Sequence, residues 1–122
     1  MLRIMVNIMN TDQIKDWHAH VYFNEGSRDA AWALRERIEQ TFPIEMGRFH
    51  EKPVGPHPHF SYQVALTNEQ FLPVMSWLTL NRGELTVFIH PNTGHDLEDH
   101  RDRAIWMGQQ VPLVLDIFTK KD

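Results

Sequence analysis

Three stretches of the chain alternate between apolar and polar residues, and two helical patterns separate them in a fixed order. In residues 17–23 (WHAHVYF), Trp17, Ala19, Val21 and Phe23 point one way and His18, His20 and Tyr22 the other. In 59–66 (HFSYQVAL), Phe60, Tyr62, Val64 and Leu66 share one face, and His59, Ser61, Gln63 and Ala65 share the opposite one. In 84–90 (ELTVFIH), Leu85, Val87 and Ile89 face the core, while Glu84, Thr86, Phe88 and His90 face away. Between the first two stretches, Ala31, Leu34, Ile38 and Phe42 recur at helical spacing. This predicts a helix over 29–41, with Ser27 as its N-cap and Pro43 at its end. Residues 44–51 (IEMGRFHE) alternate more weakly and read as a strand, and the proline-rich KPVGPHP (52–58) is a stiff loop. Thr67 with Gln70 makes a capping-box sequence before a helix over 68–81, with an interruption expected at Pro73 and Gly83 beyond its end.

The order is β-α-β-β-α-β. It specifies an α+β, ferredoxin-like fold: a four-stranded antiparallel sheet in the order 4-1-3-2, with two helices on one face. After it, Asp96 is expected to cap a helix reaching about Met107, with Gly108 as the stop. VPLVLDIF (111–118) reads as a late strand. Residues 1–15 read as a lead-in, and 16–118 as a single domain. The apolar opening MLRIMVNIM lacks a small-residue cleavage site, and no stretch approaches the ~20 apolar residues of a membrane span. The expectation is a cytoplasmic protein with no membrane partner. A net charge of −4 argues against a nucleic-acid partner, whose binding surface would be basic.

Strand parity matters most for the histidines. The chain has eight, and no cysteine, so metal chemistry must use imidazole and carboxylate. His18, His20, His59 and His90 all fall on the helix-free face, and extending the third strand's parity through the loop adds His57. The fourth strand is antiparallel to the first, which brings His90 close to His18 and His20. Neutral imidazole is a common metal ligand, and histidines at i and i+2 on a strand can reach one ion. The same pattern also fits a polar sheet face whose histidines bond Tyr22, Ser61 and Gln63. In HPNTGHDLEDHRDRAIWMG (90–108), His95, Asp96 and His100 suggest a second metal cluster. Such residues are more often a solvated helix start, with Asp99 paired to Arg103, and that reading is preferred. No G-x-S-x-G elbow, G-x-G-x-x-G, Walker loop or H-E-x-x-H is present.

HAHVYF (18–23), GPHP (55–58), LNRGELTVFIHP (80–91), and HPNTG with the later DH and AIWMG (90–94, 99–100, 104–108) resemble the DOPA 4,5-dioxygenase family. The resemblance spans roughly residues 16–118. It implies a small ferredoxin-like protein that opens a catechol ring beside its hydroxyls with O₂, with L-DOPA the substrate in fungal members. It also implies Fe(II); zinc or another divalent metal could occupy the site in the isolated protein. The catechol and O₂ need about three of six coordination positions, leaving about three for the protein. On that reading His18, His20 and His90 form the metal cluster. His57 and His59 serve as acid/base or an added ligand, and Tyr22 and Arg48 orient the substrate. A two-histidine-one-carboxylate site would need an acid from a loop (Glu25, Glu51 or Asp99); otherwise the site is all-histidine. A non-catalytic dimeric domain binding a metal or a small aromatic ligand, and a metal-assisted hydrolase or isomerase, are the competing readings. A homodimer is expected, because an open sheet face carrying Phe88 invites covering.

Overall fold

The computed structural model describes residues 8–119. β1 (Asp16–Phe23), β2 (Glu45–Met46), β3 (Phe60–Leu66), β4 (Thr86–Asn92) and β5 (Ile105–Met107) form one antiparallel sheet in the order β2-β3-β1-β4-β5. This is the expected 4-1-3-2 order with one further edge strand. α1 (Arg28–Thr41) and α2 (Asn68–Asn81) pack on one face. Ala31, Leu34 and Ile38 of α1, with Val74, Met75 and Leu78 of α2, bury Ala19, Val21, Phe23, Tyr62, Val64, Leu66, Leu85, Val87 and Ile89. Each strand's apolar set lies on the side its alternation predicts. The Thr67–Gln70 capping box forms in both directions, and α2 runs unbroken through Pro73. Pro73 is exposed, so the carbonyl it leaves without a donor can be served by water.

Several expectations need correction. Ser27 precedes α1 but makes no cap bond to it; its hydroxyl instead bonds Asn24 in the preceding 3-10 turn, Glu25–Ser27. The second strand is two residues, not eight. Three residues separate Met46 from His50, whereas two separate their partners Val64 and Ser61, so one extra residue bulges out. Gly47 lies opposite Gln63 there, and a Cβ on it would stand 3.1 Å from the Gln63 carbonyl.

The expected helix over 96–107 is only α3 (Asp96–Arg101), with His95 rather than Asp96 at its N-cap. The Asp102 and Arg103 amides both donate to the Glu98 carbonyl and close it. The β-prone Ile105–Met107 then pair with Val87–Ile89 of β4 as β5. Residues 111–118 form no strand. Pro112 cannot donate to a ladder, the Val114 amide bonds the Pro56 carbonyl, and the described residues close with a short α4 (Asp116–Thr119).

These last segments roof the helix-free face. Phe88 is fully buried, stacked on Trp106 at 4.7 Å. Phe88, whose exposure on an open face the expectation assumed, is thus enclosed by residues of the same chain. Of the lead-in, residues 1–7 lie outside the described residues. Ile14 and Lys15 are tied down, accepting from the Asn68 side chain and donating to the Asn92 carbonyl respectively. No helix among the described residues is long and apolar enough to cross a membrane.

Candidate metal centre

Two adjacent strands build the centre. His18 is the register partner of His90 across β1 and β4, and His20 follows two residues later on the same face, opposite Phe88. Each of the three histidines offers one ring nitrogen to a group in which all three lie within 4.8 Å of one another. His20 Nε2 and His90 Nε2 are 3.1 Å apart. His90 Nδ1–H donates to the Pro91 carbonyl at 2.9 Å, which leaves the Nε2 lone pair of the neutral ring aimed at the cluster. Two nitrogens bound at right angles to one ion, each about 2.1 Å away, would be about 3 Å apart, so the pair suits a divalent metal. No carboxylate among the described residues joins the group. Asp99 is used by Thr93 and Arg103, Glu51 by Arg28, and Glu25 is exposed. The donor set is all-imidazole, a set that suits iron, zinc or copper.

Around the three stand further rings. His57 comes down from the proline-rich loop to lie 4.2 Å from His20, centroid to centroid, and its Nδ1 is 2.7 Å from the Tyr22 hydroxyl. His100, on α3, stacks on His90 at 3.9 Å. Its Nδ1 donates to the Asp96 main-chain carbonyl, and Phe118 covers its other side at 4.4 Å. Beside the cluster a cavity of about 190 Å³ runs away from β4, over His20, Gln63, Ser61 and His57, to His50.

The environment keeps these rings neutral. Burial, reinforced by His57 and His90, holds His20 well below the ordinary histidine value. Burial lowers His90 to about 3 and His57 to about 4, and moves the half-buried His18 in the same direction. Burial also raises the Tyr22 hydroxyl. Neutral rings are what a metal needs. The cost appears on acidification. Between about pH 4 and 6.5, the folded value for His57 and the ordinary one, the unfolded chain binds more protons than the fold. Stability then falls as pH falls, by up to about 1.4 kcal/mol per pH unit for each such group. The melting temperature of the metal-free protein should drop from pH 7 to pH 5 and be nearly flat from 7 to 8.5. Equal values at pH 7 and pH 5 would contradict this.

Residues 17–117 match the Dopa 4,5-dioxygenase family. The chain belongs to that family. It is 38% identical over 112 residues to the DOPA 4,5-dioxygenase of Amanita muscaria, covering 84% of this chain and 49% of that protein. A second relative, the "Uncharacterized 21.2 kDa protein" of Botryotinia fuckeliana, is 44% identical over 113 residues, covering 83% of this chain and 62% of that one. The chain thus spans about half to three-fifths of the length of these curated relatives. A crystal structure of a candidate dioxygenase from Nostoc punctiforme superposes with a TM-score of 0.90 at 40% identity, covering 92% of this chain and 97% of that one.

Within this DOPA 4,5-dioxygenase family fold, the structure brings His18, His20, His90, His57 and Tyr22 together. His59 is exposed at the end of the same face, its ring 5.9 Å from Tyr22, and lines a different groove. Arg48 is exposed at the β2 bulge. Two histidines to which the sequence assigns no role also stand here: His50 lines the cavity and His100 packs on His90. The sequence signals for His100 are its place in the DH motif and its four-residue spacing from Asp96, and the bond there goes to the main chain rather than to the carboxylate.

Proposed function

We propose that this chain opens a catechol ring beside its hydroxyls with O₂, taking up both oxygen atoms, at a site held by His18, His20 and His90. The observation that carries the reading is the convergence of three neutral imidazoles, without a carboxylate, beside a cavity sized for one ring. Fe(II), the metal we favour, supplies when bound the Lewis acidity towards the catechol oxygens and the electron exchange with O₂. The chain's own residues bind, orient and move protons. Gln63 and the 54–57 loop wall the cavity that would take the ring. Tyr22, kept protonated by burial, donates to His57 Nδ1 and so sets the His57 proton on Nε2. His57 then exchanges a proton with the catechol, and Tyr22 positions it. His59, at the end of the face, is a weaker candidate for the same work, and Arg48 orients the substrate from the rim.

The test is anaerobic loading with Fe(II), then a catechol panel including L-DOPA, then air. A yellow ring-opened product with matching oxygen uptake is expected. No uptake with any catechol would remove the reading, and tight zinc binding without turnover would favour a non-catalytic binding domain. His57→Ala should lower kcat by about a hundredfold or more while metal content stays at the parent level. Tyr22→Phe should lower kcat less and alter its pH profile, because it frees His57 Nδ1. An unchanged profile would make Tyr22 only packing.

A further inference from the structure

We propose that a groove between α1 and the turn from α2 to β4 is a second binding site, distinct from the metal centre, for an amphipathic carboxylate: an acyl chain with an anionic head. The groove has a volume of about 770 Å³, roughly four times that of the cavity beside His20, and the two share no lining residue. Its place follows from the topology. β1 ends at Phe23, and α1 starts five residues later at Arg28. α2 ends at Asn81 and leads through Arg82, Gly83 and Glu84 to β4, whose Thr86 is the register partner of Tyr22. The end of α2 and the start of α1 therefore lie at one end of the sheet. Ala30 and Ala33 of α1 line the groove, and their small side chains leave room that Trp77 of α2 does not fill. Its floor is apolar, made by the buried Tyr22, Phe23, Leu34 and Leu85. From Ser27 to Arg37, both lining residues, α1 rises about 15 Å. Those dimensions suit an extended chain rather than a single ring.

Charge is distributed unevenly along the groove. Arg37, Arg82 and Glu84 line it, and none of them forms an ion pair among the described residues. Arg82 is already engaged, its Nη1 donating to the Leu85 carbonyl at 2.8 Å, and Glu84 follows it by two residues at the same end. Arg37 is at the other end, ten residues along α1 from Ser27. There Trp77 meets Phe42, the residue after α1, with ring centroids 6.0 Å apart. The helix neighbours three and four residues from Arg37 are Ala33, Leu34, Gln40 and Thr41, so no acid of its own helix face pairs with it. Arg37 thus stands as an unopposed, exposed cation at the end of an apolar floor. A carboxylate there gains a charge-assisted hydrogen bond while its chain covers the floor. A neutral chain gains only the second, and a carboxylate without a chain only the first.

The probes are octanoate, 1-octanol and acetate, titrated into the full chain with and without zinc. Calorimetry gives the affinity, and amide and indole NMR shifts give the place. Octanoate should bind tightest and move the signals of Ala30, Ala33, Arg37 and the Trp77 indole. It should do so equally with and without zinc, because the groove and the metal cavity share no residue. Octanol should bind more weakly, and acetate weakest. Added salt should shrink the advantage of octanoate over octanol. Arg37→Gln should weaken octanoate about tenfold and leave octanol unchanged. Ala33→Leu puts a good helix former at an exposed position and narrows the groove, so it should weaken both at a parent-like melting temperature. Octanol binding as tightly as octanoate, or an octanoate affinity untouched in both variants, would overturn the proposal. So would shifts confined to residues around His20 and His57, or binding that requires zinc. None of these results bears on catechol cleavage, which stands or falls on its own test.

Discussion

His90→Ala should be recovered from Fe(II) or Zn(II) loading with almost no bound metal, and with no catechol-dependent oxygen uptake. His90 is fully enclosed between β1 and α3, its tautomer set by the Pro91 carbonyl and its free nitrogen 3.1 Å from that of His20. Removing a partner behind a ligand typically weakens metal binding 10–100-fold, so removing one of three ligating nitrogens should weaken it more than about 100-fold. Elemental analysis after gel filtration reads the result. His18→Ala guards against a folding failure, because His18 is only half-buried and its loss leaves the core intact. It should lose the metal too, with an unchanged circular dichroism spectrum. His95→Ala is the control, since His95 is exposed and away from the cluster, and it should keep its metal. Parent-level metal in both His90→Ala and His18→Ala would remove the proposed ligand set.

The largest effect on stability is expected at Asp99. Its side chain is wholly buried and accepts three hydrogen bonds of 2.8 Å, from the Thr93 amide, the Thr93 hydroxyl and Arg103 Nη1. Burial alone would raise its pKa; the bonds from Thr93 and Arg103 outweigh it and hold the carboxyl below the usual value. The pair was legible as an i, i+4 ion pair, but it is a buried brace rather than surface decoration. It clamps the turn after β4 to α3 and to the entry of β5. Asp99→Ala leaves the Thr93 amide and Arg103 without their acceptor, at a cost of about 3 kcal/mol. For a domain of this size that lowers the melting temperature by roughly 10 °C. Asp99→Asn, which keeps one acceptor oxygen, should lose less. Because His90 and His100 flank the brace, metal affinity should fall with stability. A parent-like melting temperature in Asp99→Ala would show the brace to be dispensable.

What could be read from the sequence follows from how long each periodic signal runs. β1, β3 and β4 are seven or eight residues each, long enough for alternation to assign a face to every side chain. Alternation alone therefore places His18, His20 and His90 on one face, and antiparallel pairing brings them together. β5 has three residues, too few to show a period, so it was absorbed into the preceding helical pattern. Arg48 resisted placement for a definite reason. The bulge adds a residue between Met46 and His50, and parity does not survive an added residue. His100 and the roof over Phe88 depend on tertiary approach: α3 folds back over β4, and the last segment over the 54–57 loop. Neither approach leaves a local pattern.

The antiparallel pairing of β1 with β4 also sets the order of assembly. His18 and His20 leave the ribosome before His90, the third proposed ligand, which follows 70 residues after His20. A nascent chain that has not yet paired those strands holds two imidazoles and no site. On the proposed ligand set, the three nitrogens come together only once β4 has paired with β1, so a metal would find its full site only in the finished sheet. Ligands shared between β1 and β4 would make metal binding favour the paired strands, so on the proposed reading metal depletion should appear as faster turnover of the protein rather than as a pool of stable inactive chains.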